Sequence, residues 1–267
     1  MTTLGVIFPP QRPPEELRAV AVAADEAGLE QLWLWEDCFS ESGLATAAAV
    51  LGWTQRITVG VGLMPVPLRN VALTAMEIAT VERLFPGRFR PGVGHGVLDW
   101  MGQVGARAAS PMTLLREYTV ALRALLHGQT VTTEGRYVTL TDVALDWPPS
   151  VAPPLYVGAV GPRTMELAGE LGDGVILTGE TTPDQVRDAA GPLQAGRRAG
   201  HRTGASDVVV FVDVADRPSA PQVAARIAEH ADAGATHVAL RSVGTGPDLP
   251  DFARFVAEDV RALVPNA

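Results

Sequence analysis

Two kinds of hydrophobic pattern alternate along the whole chain. Short runs rich in apolar and β-branched residues predict eight β-strands, because such runs are typical of strands buried in a sheet. These runs are Leu4–Phe8, Gln31–Trp35, Ile57–Val61, Arg88–Val93, Leu155–Val157, Val175–Leu177, Val208–Val212 and Val238–Leu240. Longer stretches, in which apolar residues recur every three or four positions, predict a helix after each strand. These stretches are Pro14–Gly28, Leu44–Trp53, Val71–Leu84, Pro111–His127, Pro162–Leu171, Pro183–Ala199, Pro221–Ala233 and Leu249–Leu263.

The repeated strand–helix unit predicts the fold class. Eight units in 267 residues give about 33 residues per unit, which is a normal length for a β-α-β repeat. A closed (β/α)8 barrel and an open doubly wound sheet both fit this alternation. The count of eight and the lack of an amino-terminal Gly-x-Gly-x-x-Gly turn favour the barrel. We therefore predict an α/β protein, a TIM barrel that forms a single domain over residues 1–267.

One stretch, residues 128–154, breaks the regular alternation. Thr130–Thr133 and Tyr137–Thr141 are strand-like, and Glu134-Gly135-Arg136 separates them. A short glycine-containing connection between two strand-like runs predicts a β-hairpin. The hairpin follows the fourth predicted helix, so we interpret it as an excursion from the barrel and not as a second domain.

Composition and charge narrow the classes of function. The formal charge of −9 would repel phosphate groups, so we expect no nucleic-acid partner and no membrane partner. All 21 basic residues are arginine, which excludes lysine Schiff-base chemistry and a P-loop lysine. Cys38 is the single cysteine and the histidines lack metal-ligand spacing, so we expect neither a disulfide nor a metal site. The chain shows no basic leader and no long apolar span, and we expect a cytoplasmic protein.

The barrel prediction turns the strand ends into candidate site residues, because TIM barrels carry their chemistry at the carboxyl ends of the strands. Asp37 follows the second strand, where a carboxylate can orient a cofactor, move a proton or simply cap a helix. His95 follows the fourth strand within Gly92–Gly96, and imidazole titrates near neutral pH. The glycines there would let a flat ligand approach the backbone closely. Asp99 and Glu180 are reserve candidates for a proton donor.

A candidate phosphate site follows the fifth barrel strand. Gly158–Arg163 leads from that strand into a helix that begins at Pro162. Gly161 would give the chain freedom to turn, and Arg163 adds a positive charge. Free amides at a helix amino terminus favour an anion, so we predict that a phosphate binds here. An ordinary β-α turn would have the same sequence features.

Several segments, taken together and in order, resemble the bacterial luciferase-like superfamily of flavin- and deazaflavin-dependent enzymes. The segments are Ala21–Gly28 with Leu34–Asp37, Thr54–Gly60, Glu77–Phe89 with Gly92–Gly94, and Pro154–Ala159 with Gly161-Pro162 and Leu167–Gly174. The resemblance implies a (β/α)8 barrel with the cofactor ring across its mouth. It also implies a bulge at Gly62-Leu63, with a non-prolyl cis peptide, that supports one face of the ring.

The resemblance and the strand-end positions together assign the site. The assigned cofactor-binding residues are Asp37, Gly62, Leu63, Met64, His95, Gly96, Ala159, Val160, Gly161, Pro162 and Arg163. Asp37 and His95 are also assigned catalytic roles, with His95 as the proton partner. Two positions depart from the family pattern. Cys38 stands where many members have histidine, and Val97 stands where similar sugar-phosphate dehydrogenases have a catalytic glutamate.

The resemblance implies an oxidoreductase that uses coenzyme F420 for hydride transfer to or from a small organic substrate. The alternative is an FMN-dependent monooxygenase that receives reduced flavin from a partner reductase. A third interpretation, a non-catalytic cofactor-binding protein, stays open because of Val97. Analogy with the family further implies a homodimer.

Overall fold

The parallel strands close into the predicted barrel. The computed structural model describes residues 2–215, 219–243 and 248–264, without the side chains of Thr178 and Glu180. The barrel strands are β1 (Thr3–Phe8), β2 (Gln31–Leu34), β3 (Thr58–Pro65), β4 (Phe89–Gly94), β7 (Tyr156–Ala159), β8 (Gly174–Glu180), β9 (Asp207–Val214) and β10 (His237–Ser242). They pair in the order β1-β10-β9-β8-β7-β4-β3-β2, and the last strand pairs with the first. The (β/α)8 prediction is confirmed.

Helices follow the barrel strands, as the three-to-four spacing predicts. They are α1 (Leu17–Glu26), α2 (Gly43–Trp53), α3 (Val71–Leu84), α4 (Leu98–Gln103), α5 (Pro111–Leu126), α6 (Pro162–Leu171), α7 (Pro183–Ala199), α8 (Ala220–Asp232) and α9 (Leu249–Phe255). The short helix α4 was not predicted, because six residues hold too few apolar positions to show a period. The predicted helix over 249–263 changes to a π-helix at Val256–Val260 and a 3-10 turn at Arg261–Leu263. No helix in the described ranges is long and apolar enough to span a membrane.

The barrel interior is filled by a column of side chains from alternate strand positions. Trp33 lies at its centre and contacts Tyr156 and Phe211 edge to face, with ring centroids 6.2 and 5.8 Å away. The indole fits because the neighbouring strand has Gly60, where a Cβ atom would lie 2.3 Å from the Trp33 ring. Since side chains alternate along a strand, the next inward positions toward the carboxyl ends belong to Trp35 and other mouth residues.

The predicted hairpin is also confirmed. Its strands are β5 (Val131–Glu134) and β6 (Thr139–Val143), which pair antiparallel. The Glu117 carboxylate on α5 accepts hydrogen bonds from the backbone N–H groups of residues 136, 137 and 138, at 2.9, 2.8 and 3.1 Å. These bonds attach the hairpin to the helix that precedes it.

Carboxylates at the amino-terminal end of the barrel hold loops in place. Asp25 accepts hydrogen bonds from the backbone N–H groups of Gln55, Arg56 and Ile57 at 2.9, 2.8 and 2.7 Å. Asp173 accepts from the Leu155 N–H at 2.8 Å and is paired with two arginines. Both acids lie within the segments that resemble the luciferase-like family, so part of that resemblance reflects the construction of the barrel.

Candidate active site

A cavity of about 510 Å³ opens at the carboxyl ends of the barrel strands. This volume is within the usual range for small-molecule sites. Residues at or after the ends of seven of the eight barrel strands contribute to its wall. They are Trp35, Glu36, Asp37, Gly62, Leu63, Pro65, His95, Gly96, Val97, Trp100, Gly158, Ala159, Val160, Gly161, Thr164, Gly179, Phe211, Asp213 and Arg241.

Most of the predicted site residues meet in this cavity. Eight of the eleven line it, namely Asp37, Gly62, Leu63, His95, Gly96, Ala159, Val160 and Gly161. Met64 does not, because its side chain is 1% exposed and packs into the hydrophobic core outside the cavity. Pro162 and Arg163 are exposed on the first turn of α6 and do not line the cavity either. The side chains of these three residues therefore do not form the cavity wall, and their assignment to cofactor binding stays a prediction.

The Gly62-Leu63 segment forms an irregular floor. The peptide bond between the two residues is cis, as the resemblance implied. The register between β3 and β4 shifts between Val61 and Met64, which marks a bulge. A Cβ atom at Gly62 would lie 2.9 Å from the Phe211 ring, so only glycine fits this position without a shift of its neighbours. Gly62 therefore lets its backbone pack against Phe211, and both Gly62 and Leu63 line the cavity at the bulge.

The glycine-rich segment after β4 has a different role from the predicted one. A Cβ atom at Gly92 would lie 2.6 Å from both Ile176 Cδ1 and the Val61 carbonyl oxygen, and one at Gly94 would lie 2.5 Å from Leu63 Cδ2. These two glycines therefore make room for protein atoms and not for a ligand. Gly96 is the glycine of this segment that lines the cavity, and its φ of +68° favours glycine.

The turn before α6 also differs in its backbone. Gly161 is the residue before the helix, with φ of −100° and ψ of 159°, which any residue can adopt. The predicted need for glycine's conformational freedom is therefore wrong at this position. A Cβ atom at Gly161 would meet nothing within 4 Å, so the residue leaves open space at the cavity wall. In the first turn of α6, Pro162 has no N–H group and the Thr164 N–H donates to the Gly161 carbonyl at 3.1 Å, so Arg163 supplies the backbone N–H of this turn for an anion.

His95 is a half-buried imidazole at the cavity wall. Burial lowers its pKa below the ordinary value of 6.5, and a hydrogen bond with the Pro111 carbonyl only partly opposes this effect. The ring is therefore neutral at pH 7. A neutral imidazole has one nitrogen that can accept a proton, so His95 can act as a general base.

Asp37 lines the same cavity and is also half-buried. Burial raises the pKa of its carboxyl above the ordinary 3.8, and the positive charge of Arg241 opposes that rise. No hydrogen bond joins Asp37 to His95 in the part of the chain that the structure describes. The two predicted catalytic residues therefore share a cavity without a direct bond between them.

Sequence reasoning missed a polar pair that lines the same cavity. Arg241 on β10 and Asp213 on β9 are register partners, and their side chains form two hydrogen bonds of 2.7 and 2.5 Å. The guanidinium lies over the Trp35 ring at 4.9 Å, and Trp35 contacts Phe211 at 5.4 Å. The period of two would have located Asp213, because it is two positions beyond Phe211 on the inward face of the same strand.

The two departures from the family pattern occupy different environments. Val97 is 47% exposed and lines the cavity, whereas Cys38 lies outside the lining. Of the reserve acids, Asp99 is exposed and outside the lining, and the side chain of Glu180 is not described. Within the described ranges, no three His, Cys, Asp or Glu side chains gather as they would around a metal ion.

Glu36 lies at the cavity wall, but its charge is already paired. Its carboxylate is 2.9 Å from the Arg69 guanidinium and accepts a hydrogen bond of 2.8 Å from the Gly43 N–H. Burial raises its pKa, and the Arg69 charge opposes this effect. The contacts fix the chain between β2 and α2, so Glu36 supports the position of its neighbour Asp37.

Comparison with known proteins agrees with this architecture. The 5,10-methylenetetrahydromethanopterin reductase of Archaeoglobus fulgidus is 27% identical over 255 residues, which cover 94% of this chain and 76% of the relative. The F420-dependent glucose-6-phosphate dehydrogenase of Nakamurella multipartita is 30% identical over 228 residues, covering 78% and 67%. The structure of the F420-dependent tetrahydromethanopterin reductase from Methanopyrus kandleri superposes with a TM-score of 0.87 at 19% identity over 99% of each chain, which shows a shared fold.

The family assignment rests on nearly the whole chain. A model of the luciferase-like monooxygenase family matches residues 2–259. The match includes every barrel strand and all of the cavity lining. The resemblance inferred from the quoted segments is confirmed, and this protein belongs to the luciferase-like monooxygenase family.

Proposed function

We propose that this protein is an oxidoreductase that uses coenzyme F420 for hydride transfer to or from a small organic substrate. The observation that carries the proposal is the cavity at the barrel mouth, with its backbone floor at Gly62-Leu63 and a neutral His95 at its wall. The names of the relatives from Nakamurella multipartita and Methanopyrus kandleri support F420 as the cofactor.

The residues present fit a flat ring with a phosphate-bearing tail. The bulge at Gly62-Leu63 would support the ring, since no side chain stands on its first residue. Ala159, Val160 and Gly161 would face the phosphate with open space, beside the Arg163 N–H at the start of α6. When bound, F420 supplies the centre that accepts or releases a hydride.

The chain's own residues orient the reactants and place the proton. His95, neutral at pH 7, takes a proton from a substrate hydroxyl or, once protonated, returns it to a carbonyl oxygen. Asp37 orients the cofactor or the substrate beside it. The apolar walls, including Leu63 and Trp100, exclude water that would compete for the proton.

An FMN-dependent monooxygenase is the second candidate, and the description of the matching family favours it. The same backbone floor would support a flavin ring, and the first turn of α6 would take the FMN phosphate. This activity would need a partner reductase that delivers reduced flavin.

Titration with oxidised and reduced F420 and FMN, followed by fluorescence, tests the cofactor assignment. We expect saturable binding of F420 that is at least about tenfold tighter than binding of FMN, a difference of roughly 1.4 kcal/mol. Tighter binding of FMN would favour the monooxygenase. Failure to bind either cofactor would contradict both proposals, and binding of F420 without turnover across a substrate panel would favour the non-catalytic interpretation.

By resemblance to the family we further propose a cytoplasmic homodimer. Light scattering after size exclusion should then give twice the chain mass of 28.1 kDa. A mass equal to that of one chain would contradict the dimer.

A further inference from the structure

In the Asp213–Arg241 pair, the positive charge at the cavity wall is already paired with a negative one. The guanidinium fork is occupied by both carboxylate oxygens of Asp213, at 2.7 and 2.5 Å. Its flat face is covered by Trp35 at 4.9 Å. A fork held in this way has little capacity left for a second bidentate partner, because the geometry that binds a carboxylate is the one that binds a phosphate.

The other ionisable groups of the wall supply no positive charge that could pair with an anionic substrate. Arg241 is the one cationic side chain among the lining residues that the structure describes, and it faces two carboxylates, Asp213 and Asp37. Glu36 is compensated by Arg69 behind the wall. Burial keeps His95 neutral. The described wall therefore carries one more negative charge than positive charge.

Most of the remaining wall is apolar. Leu63, Pro65, Val97, Trp100 and Phe211 line the same cavity as His95 and the ion pair. Burial of an anionic group among such side chains is unfavourable unless a counter-charge pairs with it. An uncharged hydroxyl or carbonyl group needs only one hydrogen-bond partner, and apolar substituents gain from the contact with these walls.

We propose that the Asp213–Arg241 pair is a specificity determinant, which makes this site select an uncharged alcohol or carbonyl compound with apolar substituents and reject phosphorylated or carboxylated ones. The inference rests on the proposed function and names its substrate class. In the oxidation direction the alcohol carbon loses its hydrogen as a hydride, with both electrons, to the deazaflavin. The hydroxyl proton passes to neutral His95, and the carbonyl compound is the product. Reduction reverses both transfers.

Ligand-observed NMR titrations measure this selectivity directly. The probes are cyclohexanone, inorganic phosphate and glucose 6-phosphate, each with and without F420. We expect the wild-type protein to bind cyclohexanone and not glucose 6-phosphate, and to bind inorganic phosphate only in the absence of F420, at the start of α6. Asp213→Asn removes the carboxylate that holds two of the guanidinium N–H groups, so affinity for both phosphate compounds in the presence of F420 should rise by roughly tenfold or more, because a hydrogen bond to a charged group contributes that much.

Matched variants separate the ion pair from general effects. Asp184→Asn breaks an Asp–Arg pair of similar length on the surface of α7, and it should leave all three affinities unchanged. Arg241→Gln removes the cation and should not gain phosphate binding. Circular dichroism reports whether each variant folds. If Asp213→Asn does not fold, the test is made on Arg241→Gln, which should bind glucose 6-phosphate no more tightly than the wild-type protein does.

Two results would overturn the proposal. One is a wild-type protein that binds glucose 6-phosphate more tightly than cyclohexanone. The other is phosphate binding in Arg241→Gln at the level of Asp213→Asn, because Arg241 would then not be the anion partner. Absence of F420 binding in the fluorescence titration would contradict the proposed function alone, since the selectivity is also measured without cofactor.

Discussion

His95 and Asp37 carry the proton chemistry of the cavity, and burial favours the neutral form of each. The pKa of His95 lies below 6.5 and that of Asp37 above 3.8, in both cases because burial penalises the charged form. The effect is useful only for His95, whose neutral ring can accept a proton at pH 7. Asp37 stays under the influence of Arg241, which favours its ionised form. Burial thus suits His95 to proton transfer, and the Arg241 charge suits Asp37 to orienting the reactants.

Removal of the His95 imidazole should reduce turnover far more than cofactor binding. We expect His95→Ala to lower kcat by roughly 10²–10⁴-fold, which is the usual contribution of general acid–base catalysis. Steady-state kinetics with a substrate alcohol, beside F420 titration, measures both effects. His127→Ala is the control, because His127 is an exposed residue at the end of α5. Near-normal turnover of His95→Ala would show that another group moves the proton.

The pH profile gives an independent test of His95. Alcohol oxidation requires the neutral ring, and the pKa of His95 is below 6.5 because burial disfavours the imidazolium. The rate should therefore fall as the pH drops through that lowered pKa, and the pH of half-maximal rate should lie below 6.5. A half-maximal rate at or above pH 6.5 would mean that the ring is more easily protonated than its burial implies.

Neutralisation of Asp37 should affect binding and turnover together. Asp37→Asn keeps the shape of the side chain but removes the charge that faces Arg241. We expect weaker F420 binding and lower kcat, measured by the same titration and kinetics. Asp99→Asn changes an exposed acid outside the lining and should alter neither quantity. A loss in kcat alone would assign Asp37 to the proton transfer and not to orientation.

At the scale of elements, strand ends and helix starts supply different parts of the site. Strand β9 brings Phe211 and Asp213 to the cavity in a period of two, and the segment after β2 contributes the consecutive residues 35–37. The turn before α6 presents backbone and open space instead. The hairpin of β5 and β6 depends on α5 through the Glu117 carboxylate. The turn before α6 and the attachment of the hairpin can therefore each be tested by one substitution.

Gly161 tests the phosphate assignment at the start of α6. Gly161→Val should weaken F420 binding by filling the open space at the wall, while its φ of −100° lets the helix form unchanged. Fluorescence titration measures the affinity. Gly52→Val, on the exposed side of α2, is the matched control and should leave F420 affinity unchanged; Arg217, distant from this turn in the sequence, lies outside the described residues. Unchanged F420 affinity in a folded Gly161→Val protein would contradict this placement of the phosphate.

Glu117 tests the attachment of the hairpin. Burial alone would raise its pKa, but three backbone hydrogen bonds and Arg136 lower it below 4.5. The stabilisation is therefore present above pH 4.5 and is lost as the pH falls through the lowered pKa. Glu117→Ala should cost about 1 kcal/mol and speed hydrogen exchange of the amides at 136–138. Glu229→Ala, on an exposed face of α8, should leave that exchange unchanged, and unaltered exchange in Glu117→Ala would contradict the attachment.

At the scale of the whole molecule, the two ends of the barrel have separate roles. The carboxyl end holds the cavity, and the amino-terminal end holds loop-fixing carboxylates such as Asp25 and Asp173. This division is general for TIM barrels, in which stability and chemistry lie on opposite faces. Substitutions at the two ends should therefore affect different measurements.

Asp25 tests this separation. Burial would raise its pKa, but hydrogen bonds from three backbone amides lower it below 3.8, so its stabilisation persists above pH 3.8 and disappears as the pH falls through the lowered pKa. Asp25→Ala leaves those amides without partners and should cost about 2–4 kcal/mol in urea denaturation. F420 affinity of the folded protein should not change. Asp232→Ala, at an exposed position of α8, should be nearly neutral, and a loss of F420 affinity in Asp25→Ala would contradict the separation.

The sequence by itself determined the barrel, because the hydrophobic periods of strands and helices follow from the local backbone geometry of each element, and eight strand–helix units can be counted from them. The bounds of α6 and α7 agree with the prediction to the residue, since Pro162 and Pro183 begin helices that their own apolar spacing defines. The luciferase-like resemblance located the Gly62-Leu63 bulge, and together with the strand-end positions it located eight lining residues. These residues stand at or directly after the carboxyl ends of strands, so their place in the sequence was enough to find them.

The tertiary structure decided which of these residues face the cavity. Met64 enters the core beyond the bulge, and Arg163 faces outward, because strand register and helix orientation are set by neighbours distant in the chain. The same applies to Asp213 and Arg241, which are 28 positions apart and meet only when β9 and β10 pair in register. Local periodicity cannot encode that pairing, because its energy comes from closure of the barrel and not from either strand alone.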